Sequence, residues 1–192
     1  MRNYWRQTGL KYALPAMLVA LLSCAPAFSM ADNHQTTEYK IKAAFLYNFS
    51  RFVTWPEHAR PENGKFNLCI LGSDPFRELL DPLSGKSVQN SSLNIKRLTT
   101  LDQDHACQII FISQTGNRGL KHIMSGLKTQ PVLTVSDIED FTTHDGIIQF
   151  KLVDNKVRFN INIDNANHAG LTISSKLLSL ATIVRNDQQV SP

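Results

Sequence analysis

Two short apolar runs, Phe66-Asn67-Leu68-Cys69-Ile70-Leu71 and Gln108-Ile109-Ile110-Phe111-Ile112, restrict this chain more than any other feature. Neither alternates apolar with polar residues, as a strand with one wet face would, and each stops at a small residue, Gly72 or Ser113. Strands that are apolar on both sides are buried on both sides, the situation of a parallel sheet covered by helices.

The segments around them fit that architecture. A helix is expected over 37–53, where Ile41, Phe45, Leu46, Phe49, Phe52 and Val53 fall on an arc of about 140°, wider than the usual stripe of roughly 100°. Thr54-Trp55-Pro56 ends it, because the residue before proline is pushed out of the helical region. Asp74 reads as an N-cap with Pro75 at the first helical position of a short helix to residue 80. A weaker strand follows over 93–98, then a helix over 120–127, a strand over 131–135 and a helical turn over 137–141. Residues 147–153 and 157–163 alternate around Asp154-Asn155 and predict a hairpin, although the usual glycine is missing. A closing helix is expected over 174–185, with Leu177, Leu178, Ala181 and Val184 on one face. The fold class is therefore α/β: a single-domain three-layer sandwich with a Rossmann-like, mainly parallel sheet and an antiparallel C-terminal hairpin. No repeat, low-complexity tract or linker interrupts it.

The N-terminus has a different character. Arg2, Arg6 and Lys11 precede the apolar run Leu14-Pro15-Ala16-Met17-Leu18-Val19-Ala20-Leu21-Leu22, and no acidic residue occurs among the first 31. That pattern is a secretory signal, too short in its apolar part to span a bilayer. Ser29-Met30-Ala31 supplies the small residues of a cleavage site before Asp32, giving residues 1–31 as signal peptide and 32–192 as the exported domain. A rival is the loose lipoprotein box Leu21-Leu22-Ser23-Cys24, which would leave Cys24 lipidated.

Export changes the charge balance. Without Arg2, Arg6 and Lys11 the basic count falls from 20 to 17 against 16 acids, so the net charge drops from +4 to +1. Lys96-Arg97 is then the only adjacent basic pair, and nothing suggests a nucleic-acid surface. About 161 residues remain, enough for one proper core. Two cysteines also remain, Cys69 and Cys107, and in an oxidising compartment an even count reads as a disulfide.

Catalytic patterns are hard to find. Gly85-Lys86-Ser87 resembles the end of a phosphate-binding loop, but Leu80 stands where the first glycine belongs and no long helix follows. No dinucleotide-binding glycine pattern and no nucleophile elbow occurs. His34, His58, His105, His122, His144 and His168 show no metal-binding spacing. His144-Asp145-Gly146 reads as a turn, and Asp137, Glu139, Asp140 and Asp145 read as a solvated acidic cluster rather than a catalytic one. No catalytic residue, metal or cofactor is assigned.

Several stretches together resemble the YfiR/HmsC family of periplasmic regulators. They are Tyr39-Lys40-Ile41-Lys42-Ala43-Ala44-Phe45-Leu46-Tyr47-Asn48-Phe49 running on to Arg51-Phe52-Val53-Thr54-Trp55-Pro56, then Leu68-Cys69-Ile70-Leu71-Gly72 with Asp74-Pro75-Phe76. Next come Cys107-Gln108-Ile109-Ile110-Phe111-Ile112-Ser113 and Val132-Leu133-Thr134-Val135-Ser136-Asp137. The last are Phe159-Asn160-Ile161-Asn162 and Ala169-Gly170-Leu171-Thr172-Ile173-Ser174-Ser175-Lys176-Leu177-Leu178.

The resemblance implies a non-enzymatic periplasmic repressor. Such a protein binds the periplasmic sensor domain of an inner-membrane diguanylate cyclase and lowers cyclic-di-GMP and biofilm matrix. It also implies sequestration by an outer-membrane, OmpA-like, peptidoglycan-associated lipoprotein. Some relatives serve other membrane partners such as sensor kinases, and the second cysteine pair of some relatives is absent here.

The residues add candidates of their own. The wide apolar arc leaves surplus surface for a homodimer or partner, while Phe45 and Phe49 are equally readable as core. Trp55 is either an exposed aromatic anchor or a packed helix stop, and Phe52 and Tyr47 are the other candidate partner-binding residues. Asn160, Asn162, Ser174 and Ser175 read as caps or as partners of buried backbone. Competing functions are a small-molecule sensor with a cleft at the carboxyl ends of the strands, and an unrecognised hydrolase.

Overall fold

The structure, a computed structural model, describes residues 30–61, 63–102, 106–114 and 117–186. The expected signal sequence, apart from Met30 and Ala31, lies outside these residues, as do Cys24 and His105. The chain divides into two units, Met1–His34 and Gln35–Pro192, and all the strands belong to the second.

Helix α1 (Met30–Phe52) leads into a two-residue strand β1 (Val53–Thr54), and strand β2 (Lys65–Leu71) follows. A 3₁₀ segment (Arg77–Leu83) and the short β3 (Ser87–Val88) precede β4 (Ser91–Leu98). Then come β5 (Ile109–Ile112), helix α2 (Asn117–Leu127) and β6 (Leu133–Ser136). The hairpin is β7 (Ile148–Val153) and β8 (Lys156–Asn162). The chain continues through α3 (Ile163–His168), β9 (Thr172–Ile173), α4 (Ser175–Leu178) and β10 (Thr182–Val184).

Eight strands form one mixed sheet in the order β10-β8-β7-β6-β5-β2-β4-β3, while β1 and β9 form a small antiparallel pair. The parallel stretch β4-β2-β5-β6-β7 contains both diagnostic apolar runs, at its centre. Alternate residues of these strands enter different cores. Leu68, Ile70, Ile109, Phe111, Leu133 and Val135 pack with Leu46 and Phe49 of α1. Cys69, Leu71, Ile110 and Ile112 pack with Leu120, Met124 and Leu127 of α2. Two-sided burial is what removed the apolar–polar alternation from the sequence.

The expected α/β class and parallel centre are therefore present, but the helical layers of a Rossmann-like sandwich are not reproduced. Only β5 and β6 are joined by a helix longer than two turns among the described connections. Between β2 and β4 stand the 3₁₀ segment and β3, and between β6 and β7 only a 3₁₀ turn, Phe141–Thr143.

Three local expectations change for identifiable reasons. Asp74 Oδ1 accepts from Phe76 N at 2.8 Å, making a turn rather than an N-cap, and Arg97 pins that turn through Asp74 Oδ2 (2.7 Å) and the Arg77 carbonyl (2.6 Å). The helical turn expected over 137–141 shifts to 141–143 because Asp140 takes a left-handed conformation (φ 55). The closing helix shrinks to one turn, since Thr182-Ile183-Val184 pairs with Asn160-Ile161-Asn162 of β8 and extends the sheet. β-Branched residues beside an open edge gain ladder hydrogen bonds that a helix end would not supply. The hairpin forms as expected: Asp154 (φ 49) and Asn155 (φ 57) both take the left-handed conformation of a type I′ turn.

Candidate functional site

At the end of α1 the chain turns inward. β1 pairs antiparallel with β9 (Val53↔Ile173), and Ser174 N donates to the Phe52 carbonyl at 2.9 Å. This directs Trp55 into the core, where it is 2% exposed. Its indole N–H donates to the Gln108 carbonyl at 3.2 Å and its ring meets Phe66 edge-on at 5.0 Å. Trp55 is a packed residue with its one polar atom satisfied, which corrects its reading as an exposed anchor.

Tyr47 and Phe52 lie differently. Both are half-buried, and Arg51 links them, its guanidinium 5.9 Å from the tyrosine ring and 6.0 Å from the phenylalanine ring. Lys86 approaches the other side of the Tyr47 ring at 5.5 Å, and Tyr47 Oη donates to the Ser87 carbonyl at 3.2 Å. The pair presents aromatic edges beside two cations, a surface suited to protein contact.

Near the start of α1 an ionic cluster is folded under the helix. Lys42 is 3% exposed, and its ammonium reaches Glu38 at 2.5 Å and Asp137 at 2.6 Å. Tyr39 Oη donates to the same Asp137 oxygen at 2.8 Å, and burial together with the Asp137 carboxylate holds this phenol above its ordinary range. Asp137 thus leaves the solvated acidic cluster to which it was assigned. Glu139 and Asp140 remain exposed, and Asp145 pairs at the surface with Lys128 at 3.0 Å.

The apolar surplus expected of α1 appears beside the helix rather than on it alone. Phe45 and Phe49 pack against Phe150 and Phe159 with ring separations between 5.1 and 6.1 Å. The strands run on past this cluster. Leu152, two residues beyond Phe150, is 47% exposed, as is Val153, and Ile183 opposite Ile161 is 37% exposed. Ile41, one turn before Phe45, is 41% exposed. Large aliphatic side chains therefore remain in water where the α1-covered face meets the β8–β10 end of the sheet.

A family model described as YfiR/HmsC-like matches residues 39–182. The chain belongs to the YfiR/HmsC-like family. No curated protein matches it. The family is one of periplasmic regulators, known for control of diguanylate cyclases, and is not enzymatic. No helix among the described residues is long and apolar enough to cross a membrane.

The motifs this YfiR/HmsC-like chain carries have structural work. Cys69 and Cys107 form a disulfide, with Cα atoms 6.0 Å apart, between β2 and the residues entering its neighbour β5. Asn162, 1% exposed, caps α3 through Asp164 N (3.1 Å) and Asn165 N (3.0 Å), while its amide donates to the Thr142 carbonyl (3.0 Å) and Asn186 Oδ1 (2.8 Å). Ser174 caps α4 at Leu177 N (3.3 Å), whereas the side chains of Asn160 and Ser175 make no such bond. His34, His58, His122, His144 and His168 are all exposed, and among the described residues no cluster of His, Cys, Asp and Glu could hold a metal.

Proposed function

We propose that this protein is a periplasmic repressor of an inner-membrane diguanylate cyclase, acting on the cyclase's periplasmic sensor domain to lower cyclic-di-GMP and biofilm matrix. Family membership supports the class of partner. The observation that carries the mode of action is the aliphatic surface of Ile41, Leu152, Val153 and Ile183, with the Tyr47–Arg51–Phe52 group as a second contact. An exported protein cannot reach cytoplasmic GTP, so control crosses the membrane as a preference for the inactive sensor domain. Moving a switch from 1:99 to 99:1 takes about 5.5 kcal/mol of such preference, within the range of a few buried side chains.

In this reading the signal sequence is cleaved after Ala31 and the mature chain is residues 32–192. An outer-membrane OmpA-like, peptidoglycan-associated lipoprotein competes for the repressor, and the same aliphatic surface can pair two copies as a homodimer. Deleting the gene tests the reading: cyclic-di-GMP and matrix should rise, and the rise should vanish when the cognate cyclase is also deleted. Unchanged cyclic-di-GMP in a strain that normally makes the protein rejects it.

A second reading, a small-molecule sensor serving another membrane partner such as a sensor kinase, is favoured by one feature. A cleft of about 600 Å³ lies past the carboxyl ends of β2 and β4, lined by Leu71, Gly72, Leu101, His122 and Ile123. Crevices at such strand ends are the usual ligand position in parallel sheets.

A further inference from the structure

The opposite end of the same strands holds a chemically different cleft. It measures about 680 Å³ and its lining includes Arg60, Lys65, Asn67, Asn94, Lys96 and Gln108, with Cys107 of the disulfide in its wall. His58 stands with these cations, and no acidic residue is among the described lining residues.

The amides are held in place from behind. Asn67 and Asn94 are paired neighbours on β2 and β4, and Asn94 Nδ2 donates to Asn67 Oδ1 at 2.7 Å. Asn67 Nδ2 donates to the Ala106 carbonyl at 2.6 Å, while Gln108 Oε1 accepts from Asn67 N at 2.8 Å. One amide N–H of Asn94 and one of Asn67 are left with no partner among the described residues. Oriented donors of this kind cost little reorganisation when a ligand arrives.

Cations flank the amide pair along the strands. Lys65 stands two positions before Asn67, and Lys96, which pairs with Cys69, stands two positions beyond Asn94. At roughly 3.3 Å per residue their backbones are about 13 Å apart, so one compact anion cannot engage both. A cleft of this volume suits a small organic molecule, and its lining of amides and cations favours a charged one.

We propose that this cleft binds a small organic polyanion, one carrying two or more carboxylate or phosphate groups, with the asparagine amides between its charged ends. The site is separate from the aliphatic surface assigned to the protein partner, and the proposal does not depend on that reading.

The test titrates the oxidised, folded protein with citrate and with pyrophosphate, by calorimetry and by melting temperature. At least one probe should bind saturably and raise the melting temperature, and added salt should weaken it. Lys65→Gln and Arg60→Gln should each lower affinity roughly tenfold, the size expected for a lost charge-assisted contact. Preference for citrate identifies a polycarboxylate ligand, and preference for pyrophosphate a phosphorylated one. Lys151→Gln, on the exposed part of β7, should bind as the parent does. All three lysine and arginine side chains are exposed, so circular dichroism of the variants should match the parent. No saturable binding of either probe up to about 10 mM, a range covering even weak specific sites, overturns the proposal. So does an unchanged affinity in the Lys65→Gln/Arg60→Gln double variant, or an equal loss in Lys151→Gln.

Discussion

The ammonium of Lys42 and the carboxylate of Asp137 meet at 2.6 Å although 95 positions separate them in the chain. The two partners are not equally wet: the lysine side chain is 4% exposed and the aspartate 16%. Removing Asp137 strands a buried cation that retains only Glu38, whereas removing Lys42 leaves carboxylates that still touch water. Asp137→Ala is therefore expected to destabilise the protein by about 3–5 kcal/mol, and Lys42→Met by distinctly less, in urea unfolding.

Tyr39 makes stability fall in alkali. Its phenol is held above the ordinary value near 10 by burial first and by Asp137 second. Between the unfolded value and the raised folded one, only the unfolded chain loses the proton. The stabilising contribution is thus complete below about pH 10 and declines as pH rises past it. Unfolding free energies measured from pH 9 to 11, conditions chosen to bracket about 10, should drop more steeply for the parent than for Tyr39→Phe.

The disulfide closes a loop with a sequence separation of 38. Chain entropy sets its contribution at about 4 kcal/mol at most. Cys69→Ser should lose a large part of that in denaturant titration. Non-reducing mass spectrometry of the parent should find no free thiol at Cys69 or Cys107.

Fold and repression should separate by residue. Trp55→Ala opens a cavity between β1 and β2 and should cost about 3–5 kcal/mol, visible as a lowered melting temperature. Leu152→Glu, at an exposed site, should change stability by no more than about 0.5 kcal/mol. It should nevertheless raise cyclic-di-GMP in cells toward the deletion level, and Phe52→Ala should act in the same direction.

What was legible in the chain follows from how local the causes are. The β2 and β5 runs carried their own signal, because burial on both faces leaves no polar register, and Asp154-Asn155 tolerates the left-handed turn without help. The 174–185 segment misled because its leucine spacing is helical while its fate depends on the free edge of β8. Trp55 next to proline had two readings, and only the distant Gln108 carbonyl and Phe66 ring decide between them. Lys42 was passed over inside an apolar stretch, where a lysine flanked by Ile41 and Ala43 already hinted at a buried charge with a far partner. Asn67 and Gln108 gave no sign in sequence, since each is one polar residue at the start of an apolar strand.

The stacking of Phe45 and Phe49 on Phe150 and Phe159, with Val53 laid against Ile173, has a temporal side. A polypeptide lengthens from its N-terminus, so α1 exists long before the surface that will cover its phenylalanines. Until β7, β8 and β9 have been made, that helix is an unfinished interface, a natural client for a holding chaperone and a hazard for aggregation. Completion waits on the most distant contacts, which makes the final docking slow. A chain stopped short of Thr172 would lack more than its tail: its first helix would never be anchored.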